Sequence, residues 1–366
     1  MRIGLTAEFG LKDSTSAQAV EMGIRVAISE INARGGVLGG RPLVLETMDD
    51  RSVPARAIEN VRKLAMQKDM VAVFGARFSP VVMELLPVIQ ELGLILLDPW
   101  ASADGITQHN FKPSYTFRLS LMDRYAMPYM IQHAKRRGFK RVALLLPNTA
   151  WGRSNDEAAK AYLAKKPSVE VVRTRWYNWG DKSFADLRKD LLAHKPQCII
   201  FVANDVDGSL VVHELAAMPE ARRVPILCHW GVTGGKFFEK SGEDLKRMDF
   251  SVIQTFSFLH ADRQKRERFM AEARKLYPGL GRAESIPGPV GVAHAYDLAH
   301  LLAQAINKAG STNRSAVRKA LEDLGPYSGL VTNYARPFSP SNHEALGPEV
   351  IFMAKYRGDG VLVPLP

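Results

Sequence analysis

Short runs rich in Leu, Ile and Val alternate with longer amphipathic stretches along the first 230 residues. The runs Arg2–Thr6, Leu43–Met48, Val71–Phe74 and Leu94–Leu97 are separated by stretches near 17–34, 54–68 and 80–92 whose apolar residues recur at helical spacing. A strand buried on both faces, followed by a helix that returns the chain to the same end of the sheet, is the parallel βα unit. In the stretch near 17–34, Val20, Gly23, Ile24, Ala27, Ile28 and Ile31 fall on one face, and Gly35-Gly36 stops the helix.

A second series repeats the pattern. Helices near 125–137, 153–165, 184–194 and 207–218 alternate with the strand runs Arg141–Leu146, Val169–Trp176, Cys198–Val202 and Pro225–His229. Two series in succession, in a chain of 366 residues, predict an α/β protein of two doubly wound lobes. Helices near 263–277, 288–309 and 314–323 bring no strand series of their own, so they are expected to pack back on a lobe already built. The chain must then cross between lobes more than once. After the irregular, proline-bearing stretch 327–348 it ends in a hairpin-like pair, Val350–Tyr356 and Val361–Val363.

With 46% hydrophobic and 24% charged residues, the chain has the composition of a folded globular protein throughout. The net charge of +11 raises the question of nucleic acid, but the basic residues (Lys135, Arg136, Arg137; Arg263, Lys265, Arg266, Arg268) are interleaved with acids on helix faces. No zinc knuckle or RNA-binding aromatic signature accompanies them, so no nucleic-acid partner is expected. Cys198 and Cys228 lie inside apolar runs and read as buried thiols. The nine histidines show no ligand spacing, and there is no Gly-x-Gly-x-x-Gly and no Walker loop; neither a metal nor a cofactor is expected. Ser79 and Ser102 follow strand ends without a Gly-x-Ser-x-Gly elbow, and no paired acid and base stands out, so the chain does not read as an enzyme. No apolar run approaches the ~18 residues of a membrane span, and the first strand starts directly after Met1, which leaves a cytoplasmic protein or one whose export signal has been removed.

In an open parallel sheet, ligands bind beyond the carboxyl ends of the strands, where helix N-termini offer unpaired N–H groups. Those ends nominate Ala7–Phe9, the stretch from Gly75 through Arg77 to Ser79-Pro80, and Asp98–Ser102 with Trp100 and Ala101. Ser79 before Pro80 reads as an N-cap that leaves amides free for a carboxylate, or as a cap and nothing more. In the second series the ends are Asn148–Gly152 with Trp151, Asn204-Asp205, and His229-Trp230-Gly231. Trp151 and Trp230 could wall a flat or apolar ligand body, or simply pack. Arg77 could add positive potential, or lie at the surface.

The same residues carry a family resemblance. The stretch Ala27-Ile28-Ser29-Glu30-Ile31-Asn32-Ala33-Arg34-Gly35-Gly36, then Gly39-Gly40, Asp49-Asp50, Gly75 with Ser79, and Pro99 with Ala101-Ser102 resemble the type I periplasmic binding proteins, in particular the Leu/Ile/Val-binding branch that feeds ABC transporters. The resemblance is strong to about residue 107 and looser beyond. It implies two Rossmann-like lobes joined by three crossovers, a ligand trapped as the lobes close, a membrane permease as partner, a monomer, and a periplasmic location with the signal peptide removed. The lobes are expected at 1–120 plus 257–328 and at 121–256 plus 329–366. It implies that Ser79 and Ser102, with main-chain groups of Trp100, hold a carboxylate, and that Trp151 supplies the aromatic contact. The acid that neutralises an ammonium in amino-acid-binding members falls at Trp230 here. Burying an ammonium without a partner costs several kcal/mol, so unless Asp205 substitutes, an aromatic or other apolar carboxylic acid is favoured over a branched-chain or aromatic amino acid. The sensor region of a transmembrane receptor is the alternative.

Overall fold

The computed structural model describes residues 1–366, apart from the side chain of residue 187. It divides into two compact units, Met1–Leu121 with Phe258–Val350 and Met122–Ser257 with Ile351–Pro366. In the first, β1 (Arg2–Ala7), α1 (Ser16–Ala33), β2 (Val44–Asp49), α2 (Pro54–Ala65), β3 (Met70–Phe74), α3 (Ser79–Leu92), β4 (Ile95–Asp98) and β5 (Thr116–Arg118) follow one another. In the second come α4 (Asp123–Arg136), β6 (Arg141–Pro147), α5 (Ala150–Lys165), β7 (Glu170–Tyr177), α6 (Ala185–Ala193), β8 (Cys198–Phe201), α7 (Asp205–Ala216), β9 (Ile226–Cys228), α8 (Phe237–Leu245) and β10 (Phe250–Gln254). The chain then returns to the first unit with α9 (Arg263–Leu276), α10 (Pro289–Ala309), α11 (Arg314–Leu321), β11 (Tyr327–Ser328) and β12 (Asn333–Tyr334). It ends in the second with β13 (Phe352–Tyr356) and β14 (Leu362–Pro364).

The first sheet runs β2-β1-β3-β4-β5, all parallel. The second runs β14-β13-β10-β9-β8-β6-β7, parallel from β7 to β10 with β13 and β14 antiparallel at its edge. The parallel parts share one doubly wound order, so the strand order reverses between β1 and β3 in one unit and between β6 and β8 in the other. Central strands β3, β4 and β8 are buried along their whole length, which is why their sequences read as unbroken apolar runs. Both cysteines are buried free thiols in the second sheet. Among the described residues, no helix is long and apolar enough to cross a membrane.

Two features depart from the sequence reading. Strands β5 and β10 and helix α8 had no predicted counterpart; β5 offers a single apolar residue, Phe117, between Thr116 and Arg118. Residues 329–350 were expected in the second lobe, yet up to Val350 they cluster with the first unit. The reason is a set of contacts invisible in the linear pattern. Glu344 pairs with the fully buried Arg118 at 2.9 Å, the His343 ring stacks on Phe117 at 4.0 Å, and Asp297 accepts N–H bonds from Leu330 and Val331 and an O–H bond from Tyr334.

The late helices do pack back on the first unit. Helix α1 lies against α10 so closely that a Cβ on Gly23 would stand 2.1 Å from the Val292 carbonyl oxygen. A mid-helix glycine costs ~1 kcal/mol relative to alanine by propensity, and here it is what lets two backbones meet. Glu30 on α1 ties this pair to α9. It is 5% exposed, accepts from Tyr296 Oη at 2.9 Å and Arg268 Nε at 3.1 Å, and has His300 Nε2 at 3.5 Å. Burial alone would raise its pKa; bonding from His300, Arg268 and Tyr296 overrides that and holds it at about 2.

Gly23→Ala is therefore expected to lose about 1–3 kcal/mol despite the better helix former, whereas Gly279→Ala, with open space around it, should be near neutral; thermal melts of the two decide it. For Glu30, whose folded pKa is depressed, the stabilisation is full above its unfolded value of about 4.3 and is lost as pH falls through about 2. Glu30→Gln should melt lower than wild type at neutral pH, with the gap closing on acidification through that window.

Candidate functional site

At the carboxyl end of the first sheet, β4 runs into a buried turn from Asp98 to Ala103. Every amide of Trp100 to Ala103 is committed inside the unit. Asp98 Oδ1 accepts from the N–H groups of Trp100 (3.1 Å) and Ala101 (2.9 Å), and Ser79 Oγ accepts from those of Ser102 and Ala103 (3.2 Å each). The carbonyls are held too. His294 Nδ1 donates to Pro99 O (2.8 Å), Ser120 Oγ to Ala101 O (3.1 Å) and Arg118 Nη1 to Ala103 O (2.7 Å).

Ser79 therefore does not cap its helix. Phe78 takes the cap position, Ser79 is the first helical residue with Pro80 behind it, and its side chain bridges to the turn. With two N–H groups donating to its oxygen, the Ser79 hydroxyl keeps only its proton to give. Ser102, buried at 2% exposure, gives its N–H to Ser79 and so holds its own hydroxyl beside that of Ser79. Two hydroxyl donors thus stand together at the N-terminus of α3, where the helix dipole favours negative charge. The main-chain amides of Trp100, expected to face a carboxylate, are turned to Asp98 instead. The Trp100 indole packs into the core: Cβ atoms on Gly288 and Gly291, at the start of α10, would meet it at 2.9 and 2.2 Å. Ala101 is buried in the same turn, Arg77 lies over the Phe78 ring at 4.6 Å, and Phe9 is half-buried after β1.

Beside β1 the electrostatics change sign. Glu8 is buried and bonded by Ser14 and Ser16; Asp50 accepts from Thr6 Oγ1 at 2.9 Å and from the Ser52 N–H at 2.8 Å. Burial pushes Asp50 up to about 6 against the Ser52 N–H, with the Glu8 charge adding to the rise. An anion is better placed at the Ser79 end than near these acids.

In the second unit, Trp151, Asn204 and Gly231 meet. A Cβ on Gly231 would lie 2.4 Å from Ala203 O, 2.6 Å from the tip of the Trp151 ring and 2.7 Å from Asn204 Oδ1, so only glycine lets β9's outgoing turn pass there. Trp151 sits in the first turn of α5, edge-on to His229 at 4.9 Å. His229 is fully buried with both ring nitrogens engaged: Nδ1 accepts from the Trp230 N–H (3.0 Å), so Nε2 carries the proton towards Asp123 Oδ1 (3.1 Å). That makes His229 a support for the turn rather than an open donor. Trp230 begins a short 3₁₀ turn and is buried. Asp205 opens α7, its carboxylate pressed against Gly235; Asp207 beside it is pushed by burial to about 7, the Asp205 charge adding to the rise.

Sequence reasoning brought Ser79, Trp100, Ala101 and Ser102 together, and likewise Trp151, Asn204, His229 and Trp230. It placed Asp98 in a nominated stretch without giving it a role, and it missed Arg118, Ser120, Asp123 and Glu344, which help build the turns. Asp98-Pro99 was the one local signal, an aspartate before proline that favours a side-chain-bonded turn.

A family model described as "Periplasmic binding protein" matches residues 1–359. The Leu/Ile/Val-binding protein BraC3 of Rhizobium johnstonii is 27% identical over 332 residues, covering 88% of this chain and 83% of the relative. Among solved structures, a type 1 periplasmic binding protein from Bordetella pertussis Tohama I superposes with a TM-score of 0.87 at 23% identity, covering 100% of this chain and 99% of that one. A solute-binding protein of an R. palustris ABC transporter, in complex with benzoate, superposes with a TM-score of 0.81 at 18% identity, covering 100% and 95%. This family is one of substrate-binding transport proteins rather than of enzymes. The chain belongs to the periplasmic binding protein family and is a solute-binding protein of the kind that serves ABC transporters.

Proposed function

We propose that this protein works outside the cytoplasm as the monomeric receptor of an ABC transporter, holding a small organic acid by its carboxylate and delivering it to a membrane permease. One observation carries the reading. The Ser79 oxygen is saturated by the Ser102 and Ala103 amides, so its hydroxyl has only its proton to give, with the Ser102 hydroxyl beside it, at the positive end of a helix. A carboxylate fits that demand.

The body of the acid is apolar or aromatic and carries no ammonium. Trp230 stands where the family resemblance places the ammonium's acid, and Trp151 offers ring surface beside it. Relatives and neighbours support both ligand classes: BraC3 is named for Leu, Ile and Val, and the R. palustris protein holds benzoate.

The test is calorimetry and thermal shift with leucine and 4-methylpentanoate, phenylalanine and 3-phenylpropanoate, and benzoate. The nitrogen-free acids are expected to bind more tightly than the matching amino acids. Ser79→Ala should weaken them by about 1–3 kcal/mol, the cost of leaving a buried polar partner unmet. Trp230→Glu should improve amino acids relative to the acids by giving the ammonium a partner. If no carboxylate in the panel binds, the reading falls. If wild type already prefers the amino acids and Asp205→Asn abolishes that preference, the role given to Trp230 is wrong.

A further inference from the structure

Asp98 does more than form a turn. Its carboxylate is fully buried, Oδ1 receives the Trp100 and Ala101 amides, and Oδ2 is buried without a hydrogen-bond partner. The charged groups around it are all accounted for. Arg118 faces it across the β4–β5 register but gives its guanidinium bonds to Ala103 O, Thr107 Oγ1 (2.7 Å) and Glu344 Oε1 (2.9 Å), so its charge is shared with Glu344. On α10, His294 is held neutral, burial lowering it to about 4, and Asp297 is bonded to the Leu330–Tyr334 segment. Strand β3 and the first turn of α3 bring no titratable side chain; Arg77, on the connection between them, stacks on Phe78.

Asp98 and Ser79 clasp adjacent amide pairs of one turn, residues 100–101 and 102–103. The amide pairs are neighbours along the turn, so a carboxylate on the hydroxyls of Ser79 and Ser102 shares one buried region with that of Asp98. Two unit charges within about 10 Å, in an effective dielectric of about 20, repel enough to cost over tenfold in affinity.

Resting on the carboxylate reading above, we propose that capture of an anionic ligand at Ser79 and Ser102 is coupled to uptake of one proton from solvent by Asp98 Oδ2. The proton forms an O–H bond on Asp98 and removes the repulsion, and nothing else is transferred. Asp98 thereby sets both the affinity for anions and its dependence on pH. Burial, against Arg118 and the two amides, already lifts the Asp98 carboxyl to about 7. A bound anion lifts it further. The sign follows: affinity is highest and flat below about 7 and falls as pH rises above it, by at most about tenfold per pH unit, while the ligand stays ionised throughout.

The experiment is calorimetry of benzoate and 4-methylpentanoate with the whole chain near pH 8, in phosphate and in Tris, whose ionisation enthalpies differ. Wild type should take up close to one proton per ligand, and affinity should rise about tenfold on lowering the pH by two units from there. Asp98→Asn, which keeps an acceptor for both amides, should bind with no proton uptake and a flat pH profile. Binding by wild type with no proton uptake, or uptake that persists in Asp98→Asn, overturns the proposal and leaves the carboxylate reading standing. If neither acid binds at any pH, the carboxylate reading fails and the coupling with it. The wild-type measurement needs no variant to fold.

Discussion

A turn can be buried only if its backbone finds partners, and in the turn from Asp98 to Ala103 side chains supply them. Four side chains, Ser79 of α3, Arg118 of β5, His294 of α10 and Ser120 on the connection after β5, join Asp98 in bonding its amides and carbonyls. An unmet buried amide or carbonyl costs about 1–3 kcal/mol, so the clasp fixes the turn's shape and the side chains that leave it. It turns the Trp100 indole into the core against Gly288 and Gly291, and it leaves hydroxyls, not amides, as the donors on offer. The chemistry of the site follows from how the turn is held.

The second unit solves the same problem differently. His229 spends one nitrogen on the Trp230 amide and the other on Asp123, at the first residues of α4. Gly231 lets the turn slip between the Trp151 ring, Asn204 and the Ala203 carbonyl. Here the buried histidine does what Asp98 does in the first unit, and what it secures is the turn that carries Trp230 past Trp151, with Asp205 and Asp207 in the first turn of α7.

Much of this was legible in the sequence because parallel sheets write themselves plainly. Strands buried on both faces leave no polar alternation, and the helices between them carry one apolar stripe, so the two doubly wound series could be read run by run. The short edge strand β5 could not, since Phe117 alone carries the apolar signal. Nor could the docking of residues 329–350, which depends on Arg118 meeting Glu344 across more than two hundred residues. Within the candidate site, the strand-end rule nominated the loops but could not say how their atoms are bonded. Ser79-Pro80 looks like a cap followed by a first-turn proline, and only the approach of the Ser102 and Ala103 amides pulls the hydroxyl away from its own helix. Where the Trp100 indole goes could not be read locally, because the glycines that receive it lie nearly two hundred residues later.

The central claim is that the protons of Ser79 and Ser102 are what a ligand's carboxylate binds. The most direct measurement is a crystal structure with a bound acid from among those that calorimetry identifies. The account predicts one carboxylate within about 3 Å of both Ser79 Oγ and Ser102 Oγ, with the Asp98 turn unchanged. A carboxylate held elsewhere, with those two hydroxyls bonded only to protein or water, would contradict it.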